Sequence, residues 1–292
     1  MITLFISFLS TKARRFPFLL CKRYRKVGEK QFPYQSLCYN GKKRERDMKL
    51  LQEGQQEGKT ILLLPPMLSD SQYLFSCFSS LGKTYRLLSL DYDGYGKEVK
   101  KDFSSAERTA EEIASLLLKK EKGHVDYVYA ASLGARIFMD VIKEKRLSFD
   151  RILLDGLCLY ENEEEARKFL VDMFLNEREK ARSSFAEGKK FIASFYGEKD
   201  APRLTDLFMK TSKKTIVNSL FGCTSYTFSP IDLALQKKMT LLYGAKEDDY
   251  LPVSKTFEER YPAVKIVSAE GKNHMELLRS NSLAPYLEKY LF

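Results

Sequence analysis

The stretch His124-Val125-Asp126-Tyr127-Val128-Tyr129-Ala130-Ala131-Ser132-Leu133-Gly134-Ala135-Arg136 decides the fold of this chain. Its first half is rich in aromatic and β-branched residues, a composition that favours a strand. Its second half passes through serine and glycine into Ile137-Phe138-Met139-Asp140-Val141-Ile142, an apolar helix former. The pattern predicts a strand, a tight turn and a helix, with Ser132 at the tip of the turn. Strand and helix backbones come close together there, which asks for small residues two before and two after the serine; Ala130 and Gly134 fill those places. In the form G-x-S-x-G such a turn lifts the serine hydroxyl clear of the sheet and aims the next N–H at an oxyanion. Alanine for the first glycine keeps the size and loosens the pattern, so the surroundings of the turn must decide.

Working outward, strands and helices alternate. Met48–Gly54 reads as a short strand into a turn, and Lys59–Leu64 as a continuous apolar strand stopped by Pro65-Pro66. A strand apolar on both faces points to a parallel sheet. Helical spacing over 70–81, a strand over 85–90 running into Asp91-Tyr92-Asp93-Gly94-Tyr95-Gly96, and a helix over about 104–120 follow. That helix opens with Ser104-x-x-Glu107, the pattern of a capping box. After the Ser132 turn come a helix to about 144 and a strand over Arg151–Asp155. Residues 157–236 break the alternation: they are helical, charged and aromatic, with no strand. Strands then resume at Met239–Tyr243 and Val264–Ser268, and Leu283–Leu291 closes the chain as a helix. The expected fold class is α/β, a mostly parallel doubly wound sheet with a helical cap inserted between two late strands. The expected domains are a basic extension over 1–47, a core over 48–156 and 237–292, and a cap over 157–236.

Composition narrows the function classes. The 292 residues carry a net charge of +10 and a mean hydropathy of −0.35, with no apolar run of membrane-spanning length. The charge is local. Residues 1–47 hold twelve Lys/Arg against three acids, a net of +9, which leaves +1 for everything after them. A nearly neutral body gives no nucleic-acid signal. The opening MITLFISFLS is apolar with its basic residues after it, the reverse of a secretory signal. It fits an interfacial membrane anchor or, more simply, a poorly ordered extension. A second reading starts the protein at Met48, and a third pairs Gln31–Asn40 with 48–53 as an edge strand. Five scattered cysteines show neither metal-ligand spacing nor a disulfide framework, which fits a reducing cytoplasm.

Two histidines are present. His124 begins the decisive strand, at the end away from the serine. His274 lies in Glu270-Gly271-Lys272-Asn273-His274-Met275, a loop leaving the last strand, and Glu247-Asp248-Asp249 follows the strand before it. Serine, acid and histidine thus occur in that order, each in a loop at the carboxyl end of a parallel strand, where such sheets place their ligands. A serine hydroxyl is a poor nucleophile until an imidazole takes its proton and a carboxylate holds that imidazole in one tautomer.

With these residues in place the chain resembles the α/β-hydrolase superfamily over residues 48–292. Met48–Pro66 looks like the entry into its oxyanion loop, Asp91–Gly96 like its D-x-P-G-x-G loop with Asp93 for proline, Ala130–Gly134 like its nucleophile elbow, and Gly271–His274 like its histidine loop. The resemblance implies Ser132 as nucleophile, His274 as base and an acid within 247–249. Counting from Gly244 selects Glu247, and counting back from Pro252 selects Asp248. Asp248 is preferred, on the ground that the proline starts a helix and fixes that side of the loop; Asp249 and Asp155 are further alternatives. Pro65-Pro66 stands where family members often carry His-Gly. Proline has no N–H, so the oxyanion donors implied are the backbone amides of Met67 and Leu133. The activity implied is hydrolysis of an ester or related acyl bond in a small, largely apolar substrate, without metal or organic cofactor. Rival readings are C–C bond hydrolysis or acyl transfer on the same triad, and a degenerate hydrolase fold kept as a binding module. The aromatic residues of 157–236 are expected mostly to pack, with few reaching a substrate.

Overall fold

The computed structural model describes residues 48–247, 251–280 and 282–292. The readings made for residues 1–47 therefore lie outside it, as do Asp248 and Asp249. Among the described residues, seven strands form one sheet in the order β1-β3-β2-β4-β5-β6-β7. They are β1 (Leu51–Gly54), β2 (Thr60–Leu64), β3 (Arg86–Ser89), β4 (His124–Ala131), β5 (Ser148–Asp155), β6 (Met239–Gly244) and β7 (Lys265–Ala269). Every neighbouring pair is parallel except the edge pair β1 and β3.

The sheet is parallel because helices return the chain between strands. These are α1 (Ser71–Cys77), α2 (Ala106–Lys120) and α3 (Leu133–Val141) in the first half, and α9 (Leu251–Arg260), α10 (Glu276–Arg279) and α11 (Ala284–Tyr290) around the last strand. With helices on its faces, β2 is buried throughout and β4 is buried from Tyr127 onward except for its polar start. The chain goes from β2 outward to β3 and then crosses back to β4 on the other side of β2. That reversal leaves a crevice at the carboxyl ends of β2 and β4.

Between β5 and β6 lie α4 (Glu163–Ser183), α5 (Phe185–Tyr196), α6 (Ala201–Lys210), α7 (Lys213–Thr224) and α8 (Leu233–Gln236). This stretch holds no strand, as its sequence predicts. Its aromatic residues mostly pack on one another: Phe191 meets Phe174, Phe195 and Phe208 at centroid distances of 5.5, 5.2 and 5.6 Å. Phe185 and Phe221 are instead exposed. Among the described residues no helix is long and apolar enough to cross a membrane.

One local expectation needs correcting. The cap of α2 is Ser105, not Ser104: its backbone is extended and its Oγ accepts the Arg108 N–H at 3.2 Å. Starting one residue later takes Glu107 out of a capping box. Its carboxylate pairs instead with the guanidinium of Arg136 on α3, at 2.8 Å. Arg136 is buried, and it also donates to Asp140 and to the Ser225 carbonyl.

Candidate active site

Ser132 sits between β4 and α3 with φ 50° and ψ −113°, a conformation that L-residues rarely adopt. Two features hold it there. Its N–H donates to the Asp155 carbonyl on β5 at 2.8 Å. Two residues on, Gly134 lies against β2, where an added Cβ would stand 2.4 Å from the Leu64 carbonyl oxygen. The small-residue requirement read from the sequence therefore has a physical object: the exit of the neighbouring strand.

The imidazole of His274 reaches the serine from the loop after β7, with Nε2 3.1 Å from Ser132 Oγ. Its other nitrogen, Nδ1, lies 2.7 Å from Oε2 of Glu247. The second Glu247 oxygen accepts the Gly244 N–H at 2.6 Å, and the Glu247 N–H donates to the Gly244 carbonyl at 2.9 Å. A tight turn thus ties this carboxylate to the glycine that ends β6. The loops carrying acid and histidine are also bound to each other, with the Lys246 N–H on the Lys272 carbonyl at 2.9 Å. A Cβ at Gly244 would come within 2.6 Å of the Lys272 and Asn273 carbonyl oxygens, so only glycine allows this approach. The acid that meets His274 is therefore the one counted from Gly244. Asp248, favoured by counting back from Pro252, lies outside the described residues, and among those described it is Glu247 that meets the imidazole.

Gly156 forms the floor under the imidazole. It has φ 65°, and a Cβ there would lie 2.7 Å from His274 Cε1. Asp155, just before it, is buried and accepts the Tyr129 hydroxyl at 2.6 Å. Its carboxyl is pushed up to about 6: burial raises it most, the Tyr129 hydrogen bond works against that, and the Glu247 charge raises it while His274 lowers it. Asp155 thus lies close to both Glu247 and His274.

The turn after β2 faces the serine. Leu68 within it also has a positive φ, 63°. The N–H groups of Met67 and Leu133 find no acceptor among the described residues. Three consecutive carbonyls of the turn are engaged: Pro65 accepts the Tyr92 hydroxyl at 3.1 Å, Pro66 accepts the Ser69 hydroxyl at 2.9 Å, and Met67 accepts the Tyr196 hydroxyl. Nothing in the sequence pattern singles out Tyr92 or Tyr196 for this work. A cavity of about 300 Å³ opens beside the segment following Gly156, lined by Cys158, Leu159, Tyr160, Thr224, Tyr226 and Phe228 among others.

His124 lies at the opposite end of β4 from the serine, as expected, with Nδ1 2.9 Å from Ser148 Oγ. Its ring and the Asp126 and Asp150 carboxylates come within 4.8 Å of one another, the one group of metal-ligand types among the described residues. Asp126 already accepts the N–H and hydroxyl of Thr60, both at 2.9 Å. This group has no part in the serine site.

No protein-family model matches the chain, and no curated protein matches it by sequence. Solved structures do match. A putative alpha/beta hydrolase family protein from Desulfitobacterium hafniense is 21% identical with a TM-score of 0.61, over 82% of this chain and 99% of that one. A bromoperoxidase from Bacillus anthracis is 15% identical with a TM-score of 0.65, over 83% and 94%. An esterase from Exiguobacterium antarcticum is 16% identical with a TM-score of 0.60, over 82% and 96%. Strand order, serine turn and these similarities lead to one conclusion: the chain has the α/β-hydrolase fold.

Proposed function

We propose that this protein is a serine hydrolase that cleaves an ester or related acyl bond of a small, largely apolar molecule. The observation that carries the reading is the continuous bonding from Ser132 Oγ through His274 to Glu247, at 3.1 and 2.7 Å. His274 Nε2 takes the hydroxyl proton as Oγ attacks the acyl carbon. The amides of Met67 and Leu133 receive the resulting oxyanion. The imidazolium returns its proton to the leaving oxygen as the C–O bond breaks, leaving an acyl-serine. Water then gives a proton to His274 and attacks the acyl carbon, and Ser132 leaves with that proton restored. Glu247 keeps Nδ1 protonated and offsets the imidazolium charge.

In this reading residues 157–236 form a cap on a core made of 48–156 and 237–292, and the substrate enters beneath it. The presence of an esterase among the similar structures supports an acyl bond as the target. Free thiols at Cys77 and Cys223 support a reducing compartment, the cytoplasm.

An organophosphonate should label Ser132, and Ser132→Ala should abolish both labelling and turnover of a short-chain aryl ester. Glu247→Gln should cut that turnover by roughly 10⁴-fold with the fold retained, while Asp248→Asn stays within about tenfold, or ~1.4 kcal/mol of barrier. An unreactive serine in the intact protein would leave the binding-module reading standing. A dead Asp248→Asn beside an active Glu247→Gln would move the acid by one residue. Labelling without ester turnover would turn the search to acyl transfer or C–C cleavage.

A further inference from the structure

The turn after β2 is an unusual place to build an oxyanion hole. Its two prolines supply no N–H, so none of its peptide planes before Met67 can be fixed by donating a hydrogen bond. Orientation has to come from the carbonyls, and three consecutive ones are held. Tyr92 holds Pro65 from the loop after β3, and Ser69 holds Pro66 from within the turn. Pro66 C=O and Met67 N–H belong to one planar peptide, so fixing the former aims the latter. The next plane joins Met67 to Leu68, whose φ of 63° is a conformation a leucine adopts only when its surroundings impose it. The partner of that plane comes from outside the core. It is the hydroxyl of Tyr196, the last residue of α5.

Tyr196 is well placed for a fixed role. It is buried, with its ring edge-on to Tyr73 of α1 at 5.1 Å. Burial pushes its phenol far above the ordinary range, so the hydroxyl is a donor at every working pH. A second tie fastens the far end of the same turn: Arg203 of α6 grips both carboxylate oxygens of Asp70, which caps α1 by accepting the Tyr73 N–H at 2.9 Å. The inserted helices therefore grip the turn at both ends of its strained residue.

We propose that Tyr196 is a positioning residue for the oxyanion hole: by holding the Met67 carbonyl it pins the turn on the far side of the Met67 Cα, so that the turn presenting the Met67 amide cannot relax to relieve Leu68. The inference rests on the acyl-transfer reading above and extends it: the inserted helices complete the catalytic geometry as well as covering it. Without the phenol, the Met67–Leu68 peptide can rotate to relieve Leu68, and the turn that carries the Met67 amide loses its hold on that side.

The test uses the full chain and Tyr196→Phe, which keeps the ring and deletes only the donor. For a short-chain aryl ester, kcat should fall about 10- to 100-fold with KM unchanged, less than the roughly 10²–10³-fold cost of deleting a whole oxyanion donor. Phosphonate labelling of Ser132 should slow, and binding of an alkyl boronic acid should weaken, by a similar factor. Tyr73→Phe, which alters the neighbouring ring without touching the Met67 carbonyl, should leave all three at wild-type values. Wild-type rates in Tyr196→Phe would overturn the inference, as would equal losses in both variants, which would mark the effect as packing. Failure of the wild-type serine to label at all would instead bring down the acyl-transfer reading, and this one with it.

Discussion

The turns that end β4 and β2 lie side by side, each forces a residue other than glycine into positive φ, and they are held by opposite means. The serine turn is held by sterics and by its neighbouring strands. Small residues flank it, Gly134 rests on Leu64, and the Ser132 N–H is bonded to β5. The proline turn is held by side chains from far along the sequence, Tyr92 and Tyr196. A conformation set by size is encoded where it occurs. One set by distant hydrogen bonds is encoded elsewhere and depends on the rest of the fold being right.

The contrast can be broken most forcefully at the point where the two turns touch. Gly134 has no unusual φ, so Gly134→Ala strains nothing but space: its Cβ would lie within 2.8 Å of the Leu64 carbonyl and of the Pro65 oxygen. These are backbone atoms that cannot rotate away. We expect a loss of about 3 kcal/mol or more in urea unfolding, and weaker phosphonate labelling in whatever folds. Near wild-type stability would mean that the turns are not in register with each other as described.

A second variant sharpens the comparison by charge, through the buried carboxyl beside the serine turn. Asp155 carries its proton up to a pH of about 6, against an ordinary 3.8. The folded state thus keeps a proton that the unfolded chain releases, and stability falls as pH rises through that window. Above it the cost is about 3 kcal/mol. Asp155→Asn cannot ionise and still accepts from Tyr129. Relative to wild type it should be near neutral at pH 4 and gain about 3 kcal/mol by pH 7. A difference that does not change with pH would show that the carboxyl titrates normally.

The smallest effect is expected at Tyr92. Tyr92→Phe leaves the Pro65 carbonyl unpaired and buried, which should cost about 1–2 kcal/mol of stability. Pro65 lies farther from the strained Leu68, so turnover should stay within about fivefold. A loss of turnover as large as that of Tyr196→Phe would mean that the proline turn responds as one unit and that its two tyrosines are equivalent.

The same contrast explains what could be read from the sequence. The strands are long apolar runs, and the serine turn announces itself through Ala130 and Gly134, so sheet, turn and inserted helices are all legible. The histidine is legible because only two exist and one lies at the wrong end of its strand. The acid was harder: three adjacent carboxylates share a loop, and the anchoring of that loop at Gly244 depends on carbonyls of the histidine loop, distant in sequence. The start of α2 was missed by one residue because Ser104 and Ser105 both fit a cap, and Glu107 is drawn away by Arg136 on another helix. Tyr92 and Tyr196 left no signal, since a buried phenol looks like any core aromatic until its acceptor is known.

The insertion of five helices between β5 and β6 also has a consequence for how the chain is made. β5 is complete at residue 155, but the strand that covers its outer edge begins only at residue 239. At roughly 5–20 residues per second, a ribosome takes on the order of ten seconds to write the interval. Throughout that time Ile152, Leu153 and Leu154, buried in the finished protein, line an open strand edge. The helices emerging meanwhile make largely local contacts and form far faster than the sheet can close. The length of the insert therefore sets how long the nascent chain exposes a surface that a chaperone would recognise.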